Sequence, residues 1–365
     1  MSIATAALSS APATRVLGAG LHTVFALPRP IRRAIAGTPL RMDGQELALD
    51  AQLLLKMQKL TGSTQLSAPT AQLARAMMTK SHGIVERTEI SGVSVGDRRI
   101  PTPSGELAAR LYRPQHVHDP SGLLVFFHGG GWVVGDLDTH DDLCRYLAKN
   151  AGTRVLSVDY RLAPEHPFPA AFDDAMASWR YAVDKATELG TRPEWIAVGG
   201  DSAGGNLAAS VAYQATREGG TKPAFQLLLY PAVDATVRRR SREVFGDLNL
   251  ILSDADMTWF LDQYVPEMDR RADVRLSVLL AEDLAGLPPA HVVTAGFDPL
   301  RDEGEEYARR LTEAGVPVVA RRFDDLVHGF ANLRQAGTRF NEACSEIAGT
   351  LRAGLALGEP VDSVP

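Results

Sequence analysis

From about residue 105 onward, short β-branched and aliphatic runs alternate with stretches of helical periodicity. This is the pattern of a mostly parallel central sheet flanked by helices on both faces, and it predicts an α/β fold. Residues 122–128 and 153–159 read as buried strands, each running into a loop that contains Gly or Pro. Residues 170–189 place Phe172, Met176 and Trp179 at i, i+4 and i+7, an apolar helical stripe that belongs to the core. A further strand at 195–199 runs through the turn 201–205 into a helix over 206–217. Two more buried strands fall at 225–230 and 290–295, followed by a charged helix over 302–314 and a strand at 316–321. The pattern therefore predicts at least six strands.

Residues 1–95 stand outside this alternation and hold helical segments such as 48–60 and 69–79, so they are expected to form an added helical cap with a basic arm. Residues 96–357 are then the main domain, with a second cap insertion near 250–265 that carries Trp259 and Phe260 between two core strands. The two additions are expected to roof a pocket, and the Pro-containing tail 358–365 is expected to fray.

With 45% hydrophobic and 22% charged residues, the 365-residue chain is neither a disordered segment nor a membrane bundle, and it is long enough for a large core. A net charge of −6 lacks the basic excess of a nucleic-acid binder. Cys144 and Cys344 show no zinc-ligand spacing and read as two free thiols. The first 42 residues differ: they carry Arg15, Arg29, Arg32, Arg33 and Arg41, no acidic residue, and an apolar run at 16–27. That run is interrupted by His22, lacks a small-x-small cleavage pattern and is too short to span a bilayer. It is expected to be a helix packed on the core in a cytoplasmic protein; an interfacial helix on anionic lipid is the less favoured reading.

The chemistry is concentrated in four loops. Gly200-Asp-Ser202-Ala-Gly204 fits G-x-S-x-G and stands between a strand and a helix, where small neighbours permit the sharp turn that lifts a serine hydroxyl above the sheet edge. His128-Gly-Gly-Gly131 follows an earlier strand and matches a backbone oxyanion loop, with Gly130, Gly131 and Ala203 as the expected donors and Gly129 most easily confused with them. His128 itself is expected to fix the loop. A serine needs a base and an orienting acid. Of the histidines after Ser202, His291 begins a buried strand, which leaves His328 as base. Asp298, directly after the strand at 290–295, is the expected acid. Asp302 and Glu303 are read as helix N-terminal charges, and Asp324 and Asp325 as turn residues.

Taken together, the ordered motifs His128-Gly-Gly-Gly-Trp132, Asp159-Tyr-Arg-Leu-Ala-Pro-Glu165, Gly-Asp-Ser202-Ala-Gly-Gly-Asn206, Asp298-Pro-Leu-Arg-Asp302 and His328-Gly-Phe330 resemble the hormone-sensitive lipase family of bacterial esterases. The resemblance covers about 105–330. It implies an α/β-hydrolase fold with a helical cap and a carboxylesterase that needs no metal or cofactor. It also implies short to medium acyl esters as substrates, Ser202, Asp298 and His328 as the triad, and Gly130, Gly131 and Ala203 as the oxyanion hole. A lipase, amidase, thioesterase or lactone hydrolase would use the same site, and a homodimer is compatible with it. A related group of plant hormone receptors keeps the fold without catalysis, but such receptors lack the histidine present here as His328.

Overall fold

The computed structural model describes residues 11–61, 65–85 and 88–356. Two helices open it, α1 (Ala11–Ala26) and α2 (Arg29–Ala36), broken apart at Pro28. A two-residue hairpin, β1 (Arg41–Met42) and β2 (Gln45–Glu46), leads to α3 (Leu49–Thr61) and α4 (Ala71–Val85). The main sheet then begins with β3 (Val93–Thr102) and β4 (Gly105–Pro114), followed by β5 (Leu123–Phe127), α5 (Asp141–Ala151), β6 (Arg154–Val158) and α6 (Ala170–Asp184). Next come β7 (Ile196–Asp201), α7 (Ala203–Glu218), β8 (Gln226–Leu229), α8 (Arg240–Phe245) and α9 (Asp254–Tyr264). The described chain closes with β9 (Ala290–Phe297), α10 (Arg301–Glu313), β10 (Val318–Val327) and α11 (Thr338–Ala356).

Eight strands form one sheet in the order β10-β9-β8-β7-β5-β6-β4-β3. From β10 to β6 every pair is parallel, while β4 joins β6 and β3 joins β4 antiparallel. The sheet thus starts at Val93, earlier than the alternation of the sequence suggests, because β3 is an edge strand whose residues are mostly exposed or half-buried. Asp324 and Asp325 also depart from expectation. They lie within β10, and Asp325 pairs with Arg339 of α11 at 2.7 Å.

Successive side chains on a strand point to opposite faces, so each central strand feeds two cores. Leu123, Val125 and Phe127 of β5 pack on α6 and α7 and share one core with Tyr307 and Leu311 of α10. Leu124 and Phe126 join Leu143 and Leu147 of α5 and Phe340, Ile347 and Leu351 of α11 on the other face. Chain direction along the sheet reverses at β5, whose neighbours β6 and β7 are reached by opposite crossovers. Ligands of open α/β sheets bind beyond the carboxyl ends of the strands at such a point. Here β5 leads into His128-Gly-Gly-Gly and β7 into Ser202.

The helices before the sheet are tied to the rest of the chain by polar contacts, some buried and some exposed. Asp50 of α3 bonds Arg32 at 2.5 Å and accepts the N–H of Arg339 at 3.1 Å. In α4, Arg75 donates to the carbonyls of Val133 and Ala163 and pairs with Glu165 at 2.6 Å. That guanidinium holds the Glu165 carboxyl down at about 2. Asp256, capping α9 together with Ser253, accepts the N–H groups of Leu66 and Ser67. The 250–265 insertion and the segment before α4 are therefore in direct contact. Among the described residues no helix is long and apolar enough to cross a membrane, and Cys144 and Cys344 are buried free thiols.

Candidate active site

Ser202 sits between β7 and α7 with φ 55° and ψ −118°, a backbone conformation that L residues rarely adopt. The turn is held by its N–H to Leu229 O at 2.8 Å and by Asn206 N–H to its own carbonyl at 3.0 Å. It is also tight enough to demand glycine, since a Cβ on Gly204 would lie 1.9 Å from Phe127 O.

Burial and loop position bring the predicted partners onto this serine. His328, in the loop after β10, places Nε2 2.9 Å from Ser202 Oγ. Its Nδ1 lies 2.8 Å from Oδ2 of Asp298, which is fully buried immediately after β9. The other Asp298 oxygen accepts the N–H of Leu300, so the carboxylate is fixed at both ends. His291 is buried within β9 and does not line the cavity above Ser202.

The three glycines of the loop after β5 differ in how their N–H groups are engaged. Gly129 N–H is taken by Asp201 Oδ1 at 2.8 Å. The N–H groups of Gly130, Gly131 and Ala203 make no hydrogen bond among the described residues, and all three residues line the cavity with Ser202. Gly131 has φ 58°, and a Cβ there would strike the Phe260 ring at 2.3 Å. His128 supports this loop: its Nδ1 lies 2.8 Å from Gly129 O and its ring stacks on Tyr160, whose hydroxyl donates to His128 O. Burial pushes the His128 imidazole down to about 4. The Asp159-to-Glu165 motif therefore braces the loop through Tyr160 and the α4 helix through Glu165.

Two buried carboxylates complete the surroundings, and neither is legible as functional from the sequence. Asp201 joins three segments: it accepts from Gly129 N–H, from Asn332 Nδ2 at 2.9 Å beyond His328, and lies 3.2 Å from His140 Nε2. Burial works against its charge, but these partners together hold its carboxyl below the usual range. Glu303, read from sequence as a helix-end charge, does lie in the first turn of α10, but it is buried in the cavity wall and accepts the N–H groups of Val233 and Asp234 at 2.8 and 3.3 Å. Burial pushes it up to about 8, with the Asp234 carboxylate adding to the effect against the two N–H groups. A value raised on folding means stability that is complete below the ordinary carboxyl range and is lost as pH rises through about 8. Glu303→Gln removes this ionisation. The melting temperature of the unmodified protein is expected to fall between pH 5 and 9 by several degrees more than that of the variant, and parallel curves would exclude the linkage.

Comparison with known proteins decides the family. The family described as alpha/beta hydrolase fold matches residues 124–332. The chain is 45% identical over 348 residues to the carboxylic ester hydrolase LipN of Mycobacterium tuberculosis, covering 93% of this chain and 92% of that protein. It belongs to the hormone-sensitive-lipase-like α/β-hydrolases. Within this family it is also 38% identical to the ethyl acetate hydrolase of Pseudomonas putida, over 73% of this chain and 85% of that one. The hyperthermophilic esterase from the archaeon Pyrobaculum calidifontis superposes with a TM-score of 0.78 at 39% identity, over 82% of this chain and 97% of its own. The ester-hydrolase EH1AB1 from the metagenome of Lake Arreo, solved with a bipyridine phosphonate derivative, gives 0.80 at 39% identity, over 85% and 99%.

Proposed function

We propose that this α/β-hydrolase is a serine carboxylesterase that cleaves short to medium acyl esters through an acyl-enzyme on Ser202. The observation that carries the reading is the unbroken chain Ser202 Oγ–His328 Nε2 and His328 Nδ1–Asp298 Oδ2, at 2.9 and 2.8 Å, beneath three unengaged N–H groups. His328 takes the hydroxyl proton as Ser202 attacks the ester carbonyl carbon, and Asp298 stabilises the resulting imidazolium. Gly130, Gly131 and Ala203 donate to the oxyanion of the tetrahedral intermediate. The intermediate collapses as His328 returns the proton to the departing alcohol oxygen. Water, activated by the same histidine, then releases the acid and restores Ser202.

The cap reading follows from the described part of the N-terminal region and from 250–265: Leu54 and Met57 of α3, Met78 of α4 and Phe260 of α9 stand in the cavity wall and roof the site. The cavity is mostly apolar and of ≈ 290 Å³, near the lower end of the roughly 300–1,000 Å³ usual for small-molecule sites, which favours short to medium chains. The names of LipN and the Pseudomonas putida enzyme, and the phosphonate carried by EH1AB1, support the same chemistry. An aryl phosphonate is expected to label the protein once, with the added mass on the peptide containing Ser202, in parallel with loss of p-nitrophenyl butyrate hydrolysis. A label on any other serine, or hydrolysis that survives complete labelling, would overturn the assignment.

A further inference from the structure

The wall of the cavity holds more information than the reaction needs. It divides into two apolar groups that meet at Ser202. Trp132, Phe260, Leu261 and Leu276 belong to the core on the α6–α7 face of the sheet, whereas Leu54, Ile84 and Leu333 join the core on the α5–α11 face. Leu21 of α1 belongs to the second group and lines the same cavity.

The placement of Leu21 follows from how α1 is docked. Between residues 18 and 21 the helix buries Gly18 and Leu21 while Ala19 and Gly20 are exposed, a narrow stripe at i and i+3. Gly18 permits the close crossing, since a Cβ there would lie 2.9 Å from Ile84 O of α4. The helix packs on α4 and on the turn Phe330–Ala336, so Leu21 enters the cavity between these two elements. That turn begins two residues after His328. EH1AB1 matches this chain over 99% of its own length but over 85% of this one, so this chain carries residues which that esterase lacks.

We propose that α1 is a specificity element, with Leu21 as the end wall that limits the length of the alcohol portion of the substrate. The proposal rests on the ester-hydrolase reading. In that reaction His328 must pass its proton to the leaving oxygen, so the alcohol lies on the side of His328 and of the turn against which α1 is packed. The other group, around Phe260 and Leu276, then faces the acyl chain. An apolar wall rewards each added methylene until the chain meets it, by about 0.8 kcal/mol or close to fourfold in kcat/KM per buried CH₂. Moving the wall moves that limit.

The test is a series of acetates of ethanol, butanol, hexanol and octanol, beside a series of ethyl esters from acetate to octanoate, on the full chain. Leu21→Ala is expected to raise the octyl-to-butyl acetate ratio of kcat/KM by about tenfold, and Leu21→Phe to lower it by a similar factor, with little change across the ethyl esters. Leu21→Val keeps the buried stripe and should give a smaller rise. It carries the test if the alanine variant does not fold, folding being judged by melting and by phosphonate labelling of Ser202. Ratios within twofold of the unmodified protein in folded variants overturn the proposal, as does a shift confined to the ethyl-ester series. Failure of the unmodified protein to hydrolyse any member of either series refutes the ester reading itself, which keeps the two failures apart.

Discussion

Ser202→Ala is expected to lower kcat for p-nitrophenyl butyrate by up to about 10⁶-fold while the melting temperature shifts by only a few degrees. The size of the loss follows from the proposed division of labour. Without Oγ there is no acyl-enzyme, and His328 and Asp298 have no nucleophile to activate. The three N–H groups of Gly130, Gly131 and Ala203 still bind a developing oxyanion, which is why a residue of catalysis of about 10³- to 10⁴-fold over water remains in comparable triads. The fold should tolerate the change because the elbow is held by backbone bonds to Leu229 and Asn206 and by the crowding of Gly204 on Phe127, none of which involves the hydroxyl. Circular dichroism and melting, measured beside turnover, make the test decisive. Turnover within tenfold of the unmodified protein, with the fold intact, would remove Ser202 from the mechanism.

The parts of this molecule that sequence displays are those whose causes are local. Strands β5, β6, β7 and β9 are short apolar runs bounded by turn residues, and they fall within two residues of the expected positions. The tight turns around Ser202 and after β5 are legible because steric demand forces glycine at spacings that chain order preserves. By contrast, β3 reads poorly because Gly96-Asp-Arg-Arg99 on a sheet edge has the polarity of a loop, and only pairing with β4 makes it a strand. Asp201 and Glu303 escape notice for a different reason. Their partners, Gly129, Asn332, Val233 and Asp234, lie 69 to 131 positions away along the chain or across the sheet, so nothing local distinguishes a buried carboxylate that braces a loop from a solvated one. The apolar run at 16–27 lies between these cases. It is expected to be a packed helix, but that the helix lends Leu21 to the cavity depends on Gly18 meeting α4, a contact written into neither segment alone.

A second substitution tests the proposed acid against its neighbours. Asp298→Asn is nearly isosteric and keeps an acceptor oxygen, but its amide can donate toward His328 Nδ1 and so favour the tautomer that leaves Nε2 protonated and unable to take the serine proton. A loss on the order of 10⁴-fold in kcat is expected, with KM little changed because Asp298 lies behind His328 and not in the cavity wall. Asp302, four residues on, is the informative control. It lies in the first turn of α10, where it accepts Ser241 N–H at 2.7 Å and the Arg301 guanidinium at 2.9 Å, and it makes no contact with His328 among the described residues. Asp302→Asn should therefore cost less than about tenfold in kcat and express itself mainly as lowered thermal stability. If the asparagine at 302 proved the damaging one, the hydrogen bond from His328 to Asp298 would have to be structural, and the acid would have been placed one helical turn too early. If neither mattered, His328 would be oriented by its packing against Tyr230, whose ring meets it edge-on at 4.9 Å, and the dyad Ser202–His328 would account for the chemistry by itself.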